Sequence, residues 1–406
     1  MIAVFLNNLV PYHHARWNAY ASLYASNCLL IEITSRDAFS VLEMPAEQSG
    51  KCRRHALFPG VSFDEIDRSA LRKAVYQVLD EHRPKVVCLN GYSFLYNWVA
   101  LDWCLKNRIP AIVCSESSEF DESRKPWKEA VKRFFVRRCA AGLAGGQPQA
   151  QYLVKLGLEP ERVFTGYDVV DNEHFAAGAT VARAQADEVR RKLALPDNYF
   201  LACSRFGQKK NLPLLIKAYA RYRQLASTPE TQKEGMRIWD LVLVGDGEER
   251  PLIEKAMVEN GVGAFIHLAG AKTYTQLPDY YGLASAFIHA STTEQWGLVV
   301  NEAMASGLPV LVSNRCGCAS DLVREGANGF TFDPSDVESI AQKMFQISNN
   351  VAALSSLGNA SREIIANWSP EKFARGMSQA VNVAMARSPS FAKWLDRWFI
   401  WIRTHR

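Results

Sequence analysis

At 406 residues the chain is too long for one ordinary hydrophobic core, so two domains are expected. Hydrophobic residues make up 48% and charged residues 22%, the balance of a globular protein with ample apolar surface to bury. The formal charge of +5 is too mild for a dedicated nucleic-acid binder and leaves room for an anionic ligand.

The opening MIAVFLNNLV lacks a basic leader and a small-residue cleavage site, so it reads as a first strand rather than a signal peptide. Further β-rich runs follow at Val86–Leu89, Ala111–Cys114 and Ala140–Ala144, with the helical period of Ser69–His82 between them. A second series runs through Phe200–Ser204, Leu241–Val244, Phe265–Leu268, Ala286–His289 and Pro309–Val312. Helical patterns at Pro213–Leu225 and Glu248–Glu259 alternate with these. Strand–helix alternation of this kind builds βαβ units and parallel sheets covered on both faces. The expected fold class is therefore α/β: two Rossmann-like, doubly wound domains facing a central cleft. The boundaries are drawn at residues 1–175, an Ala- and charge-rich connection at 176–197, a second domain at 198–375 and a helical tail at 376–406. No apolar run approaches the ~18–20 residues that span a bilayer. The nine cysteines are scattered through apolar runs, which fits buried thiols in a reduced, cytoplasmic setting.

In doubly wound sheets, ligands bind beyond the carboxyl ends of the strands, and the polar residues there are the candidates. In the first domain these are His13 and His14 after the first strand, Asn90 after Val86–Leu89, and Glu116 after Ala111–Cys114. In the second, Arg205 and Lys210 lie on one loop after Phe200–Ser204, two cations of the kind a diphosphate needs. Gly245-Asp246-Gly247 lacks the third glycine of a dinucleotide loop and reads as a tight strand-to-helix turn. Glu294 sits in the loop after Ala286–His289, and Glu302 about a turn inside the helix that starts near Gly297 or Leu298. A helix start unobstructed by a Cβ at Gly297 offers free N–H groups to an anion. Carboxylates on either side of it suit the hydroxyls at the two ends of a nucleotide sugar. Cys316 and Cys318 have no His or Cys cluster near them, so no metal site is expected.

The spacing of Glu294 and Glu302, E-x7-E followed by Ala-Met-Ala-Ser-Gly-Leu-Pro-Val, resembles the retaining glycosyltransferases of family 4, which have the GT-B fold. Ser204-Arg205, Lys210-Asn211 and Val244-Gly245-Asp246-Gly247 carry the same resemblance, which is strong over the second domain and weak over the first. It implies a nucleotide diphosphate sugar as donor. No Asp-x-Asp sits at a strand end beside a cluster of ligand carboxylates, so no catalytic metal is expected, and no cofactor either. The resemblance further implies that Arg205 and Lys210 hold the diphosphate, Glu302 binds ribose hydroxyls and Glu294 faces the donor sugar. Gly297 and Leu298 would offer amides to the distal phosphate, with Gly270 and Ala271 near the nucleobase. His13, His14, Asn90 and Glu116 would lie on the acceptor side, although capping or surface roles suit the histidines equally. Departures from the pattern are Gln295, Gly317-Cys318 and Asp321.

Residues 124–138 combine seven cations with Trp127, Phe134 and Phe135, and residues 391–403 interleave three tryptophans with basic side chains. Each reads as a solvated or packed helix face, or as contact with an anionic membrane surface. Together they suggest a sugar or lipid-linked sugar acceptor at the inner membrane face, with the protein cytoplasmic and peripheral. The same residues leave two other readings open: a catalytically silent partner subunit that binds a nucleotide sugar, and a phosphorylase or epimerase on the same fold.

Overall fold

The computed structural model describes residues 1–24, 27–36, 52–229, 231, 237–387 and 394–405. Residues 391–393 of the tryptophan-rich stretch lie outside them. The chain divides into two compact units, Met1–Val169 with Ser369–Arg406, and Val170–Trp368. It crosses into the second unit six residues before the boundary drawn from composition. The stretch expected to connect the domains, 176–197, instead contributes to helices Asn172–Ala184 and Ala186–Leu193 of the second unit.

The first unit is built on strands β1 (Ile2–Leu6), β2 (Cys28–Arg36), β3 (Arg53–Ser62), β4 (Val86–Asn90), β5 (Ala111–Ser115), β6 (Ala141–Ala144) and β7 (Val163–Thr165). They lie in the order β3-β2-β1-β4-β5-β6-β7, every pair parallel. The second holds β8 (Tyr199–Cys203), β9 (Asp240–Val244), β10 (Ile266–Gly270), β11 (Ala286–His289), β12 (Val310–Ser313) and β13 (Gly329–Phe332), in the order β10-β9-β8-β11-β12-β13. Both orders run outward from the first strand and then reverse. Each sheet therefore has a switch point, between β1 and β4 and between β8 and β11, where successive connections leave for opposite faces and open a crevice. Strands β1, β5, β6, β8, β11 and β12 are buried along their whole length, as parallel strands covered on both faces must be.

The alternation anticipated this architecture but not every strand. β3 reads RRHALFPGVS, charged at its start and carrying a proline, a composition tolerated because it forms the sheet edge. The tail returns to the first unit. Helix Pro370–Ala386 belongs to it, and so does helix Trp394–His405, where Ile400 is fully buried and Phe399 meets Phe134 at 4.3 Å. Arg403 lies over Trp98 at 5.3 Å, while Trp398 and Trp401 remain more than half exposed. Among the described residues, no helix is long and apolar enough to cross a membrane.

Candidate functional site

The two strands at the second unit's switch point each deliver one member of an ion pair. After β8 the chain makes a short 3-10 turn at Gln208–Lys210 and enters helix Leu212–Ala226 through Asn211, at φ 59°. Asn tolerates this left-handed conformation better than most residues, and its amide ties the loop across the crevice to Ala290 O at 3.2 Å and Pro334 O at 2.8 Å. The Lys209 carbonyl accepts from Thr292 N at 2.9 Å, fixing the β8 loop to the β11 loop. Lys210 Nζ thereby meets the carboxylate of Glu294, eighty-four residues further along the chain.

Glu294 has two further partners. His289 Nε2 stands 3.3 Å and Ser291 Oγ 3.3 Å from its Oε2, and Ser291 Oγ is 3.1 Å from His289 Nε2. A proton on Nε2 satisfies this set, with the serine hydroxyl donating to the carboxylate. Burial alone would raise the Glu294 pKa. The His289 hydrogen bond and the Lys210 charge outweigh it and hold the carboxyl at about 2. Burial keeps His289 below its ordinary value, hence neutral at pH 7. The loop is anchored from behind by Gly317 N donating to Glu294 O at 3.0 Å and Cys318 N to Trp296 O at 3.1 Å.

Gly297 caps the helix Leu298–Ala305 at φ 106°, a conformation that favours glycine. A Cβ there would lie 3.6 Å from Glu294 Cγ and 3.6 Å from Cys318 Sγ, so the helix start abuts the Glu294 side chain. One turn inside, Glu302 is buried and accepts from Tyr281 OH at 2.7 Å. Burial pushes its carboxyl up to about 7, against the lowering effect of the tyrosine. The expected partner of a carboxylate in so apolar a helix is thus a phenol rather than a cation. Cys203, the last residue of β8, stands between the groups. Burial, and then Glu302, raise its thiol to about 12 against the lowering effects of Tyr281 and Lys210.

Lys210, Glu294, the Gly297 helix start and Glu302 are therefore gathered at one crevice. Arg205 is instead held by Glu248 Oε2 at 3.1 Å, on the loop after β9. Gly270, at φ 73°, ends β10 and accepts from Gly245 N at 3.0 Å, with Ala271 exposed beside it. Gly245 and Gly247 let two loops touch: added Cβ atoms would fall 1.8 Å from Ser204 O and 2.5 Å from Phe206 O. The Gly-Asp-Gly turn is thus explained by packing. His289, Ser291 and Tyr281 escape a sequence reading of the site. A histidine closing a buried strand looks like core, and only its proximity to a loop carboxylate five residues past the strand end hints otherwise.

In the first unit the candidates sit at the ends of β1, β4 and β5, but most are occupied. His13 Nδ1 accepts from Val10 N at 3.4 Å, a capping contact at the start of helix Pro11–Tyr24. Burial, then Arg16, hold His13 well below the usual value; burial, then Arg54, lower His14. Neither carries a charge to meet an anion at pH 7. The Asn90 side chain accepts from Tyr96 OH and Asn97 Nδ2, both at 3.0 Å, and so anchors the next helix. Glu116 pairs with the buried Asp168, whose carboxyl is pushed well up by burial and then by Glu116.

Fold and site together define a two-unit, doubly wound α/β protein with a cation, two carboxylates and a helix start converging at one switch point. Residues 185–364, which make up most of the second unit, match the family described as glycosyl transferases group 1. It is 25% identical over 194 residues to alpha-monoglucosyldiacylglycerol synthase of Acholeplasma laidlawii, covering 47% of this chain and 45% of that protein. It is 31% identical over 160 residues to the lipopolysaccharide core biosynthesis glycosyltransferase LpsE of Rhizobium meliloti, covering 39% and 42% respectively. The chain thus spans less than half the length of these curated relatives. Anabaena Alr3699/HepE, crystallised in complex with UDP, shares the fold over 94% of this chain and 100% of its own, with a TM-score of 0.70 at 16% identity.

Proposed function

We propose that the protein is a retaining glycosyltransferase, moving a sugar from a nucleotide diphosphate sugar to an acceptor hydroxyl. The observation that carries this is the meeting of Lys210 and Glu294 at the Gly297 helix start. An ammonium has three donors, and one is engaged by Glu294, which leaves two for a departing diphosphate. Stabilising that developing charge is the main physical demand of the reaction. Arg205 joins from its exposed position by exchanging Glu248 for phosphate. These cations make a metal unnecessary for that step. Glu294, ionised and held by His289 and Ser291, faces the donor sugar. Glu302, one turn deeper, receives ribose hydroxyls, with Gly297 and Leu298 at the distal phosphate and Gly270 and Ala271 near the base. The leaving phosphate takes the acceptor proton on the same face of the sugar, which preserves the anomeric configuration.

Relatives named for glucosyldiacylglycerol synthesis and for lipopolysaccharide core biosynthesis favour a lipid-linked acceptor. The exposed Trp127, Trp398 and Trp401, with nearby lysines and arginines, suit a peripheral position at the inner membrane face. His13, His14, Asn90 and Glu116 stand at the strand ends where that acceptor would lie. Purified protein incubated with a panel of nucleotide sugars should release a nucleoside diphosphate from one of them. Proton NMR of the product should show the donor's anomeric configuration. Turnover with no donor would refute the transferase reading, and an inverted product the retention.

A further inference from the structure

The first unit has a cavity of about 800 Å³, within the ~300–1,000 Å³ of small-molecule sites. It lies over β7, the edge strand of its sheet, between helices Gln147–Lys155 and Pro370–Ala386. Helix Pro370–Ala386 settles onto the strand because Gly376 has no side chain: a Cβ there would stand 2.6 Å from Thr165 O. Each helix turns one polar stripe toward the space, Gln147, Gln151 and Lys155 from one side, Lys372, Arg375 and Gln379 from the other. The spacings are i, i+4, i+8 and i, i+3, i+7, each a single helical face. No carboxylate lines the cavity, and the floor is apolar, with Val154, Val163 and Phe164. Lys155 is shared with Glu119, whereas among the described residues Arg375 makes no ion pair.

We infer that this cavity binds an acidic oligosaccharide, a saccharide bearing carboxylate or phosphate groups. The cations Lys372 and Arg375 meet the acid groups, the glutamine amides supply both donors and acceptors to hydroxyls, and the apolar floor takes the C–H faces of the rings. A simple anion has no use for three amides. A peptide adding to the sheet edge would find only the three residues of β7 to pair with. The site is separate from the crevice of the second unit and does not depend on the transfer reading.

The test is calorimetric titration of the full chain, without nucleotide sugar, using tetragalacturonate as probe. Maltotetraose serves as the neutral control and inorganic phosphate as the bare-anion control. Tetragalacturonate should bind at least ~10-fold more tightly than either control, and Lys372→Glu with Arg375→Glu should weaken it at least ~10-fold. Gln147→Ala with Gln151→Ala should weaken tetragalacturonate binding without altering the phosphate response. Circular dichroism verifies that the variants are folded. Absence of tetragalacturonate binding, equal binding of phosphate or maltotetraose, or indifference to the charge reversal would each overturn the inference. None of these results bears on donor turnover, so this inference and the transferase reading fail separately.

Discussion

Glu302 makes the second unit's stability depend on pH in a way that can be isolated. Its carboxyl is carried from an ordinary 4.5 to about 7, chiefly by burial. Below the unfolded value both states hold the proton and nothing is lost. As pH rises the unfolded chain ionises first, so the folded state binds more protons and stability falls until the folded carboxyl also ionises. The window is therefore from about 4.5 to about 7. At roughly 1.4 kcal/mol per pH unit, this single group withdraws about 3 kcal/mol across it. Glu302→Gln keeps the shape and an acceptor for the Tyr281 hydroxyl, but cannot titrate. Urea unfolding of the wild type and the variant at about pH 4 and about pH 8 gives a double difference in which every other titrating group cancels. Wild-type stability should fall by about 3 kcal/mol more than the variant's between those conditions. Parallel pH profiles would show that Glu302 is not held protonated by its surroundings. Ligand linkage adds a second readout. If bound hydroxyls donate to this carboxylate they favour its charged form, so donor affinity should rise with pH through 7 in the wild type and stay flat in the variant.

Lys210→Ala should lower turnover on the order of 100-fold or more, the scale of losing one electrostatic stabiliser; near-normal rates would remove the residue from the reaction. Gly245→Ala forces a Cβ to 1.8 Å from the Ser204 carbonyl. It should destabilise the protein by more than about 3 kcal/mol, read by thermal unfolding, and a small effect would mean the loops can separate freely. Trp398→Ala with Trp401→Ala removes two side chains that are more than half exposed. Stability should change by less than about 1 kcal/mol, whereas co-flotation with anionic vesicles should drop. Unchanged flotation would take the tail out of any membrane contact.

What sequence could and could not disclose here divides along the range of the interactions. Alternating strand and helix periods are local, and they led to two doubly wound sheets and to the loops at their strand ends. Those loops hold Lys210 and Glu294, because connections at a switch point are the ones that cannot cover each other. The partners within each loop are another matter. Ser291 and His289 steady Glu294 across only a few residues, yet a histidine that completes a buried strand has no periodic mark to separate it from core. Tyr281 reaches Glu302 from the helix preceding β11, so the pair depends on packing between elements. The same limit explains Arg205. Its position at a strand end is legible, but its engagement by Glu248 requires the β8 and β9 loops to cross, which two glycines allow. The tail shows the converse. A helix with Phe399 and Ile400 facing the core and Trp398 and Trp401 facing out carries aromatic residues on both sides. Composition therefore cannot tell a packed face from an exposed one, and this helix has both. Side chains whose role is set by a neighbour's face are invisible to a one-dimensional pattern, whereas those whose role is set by position along a strand are not.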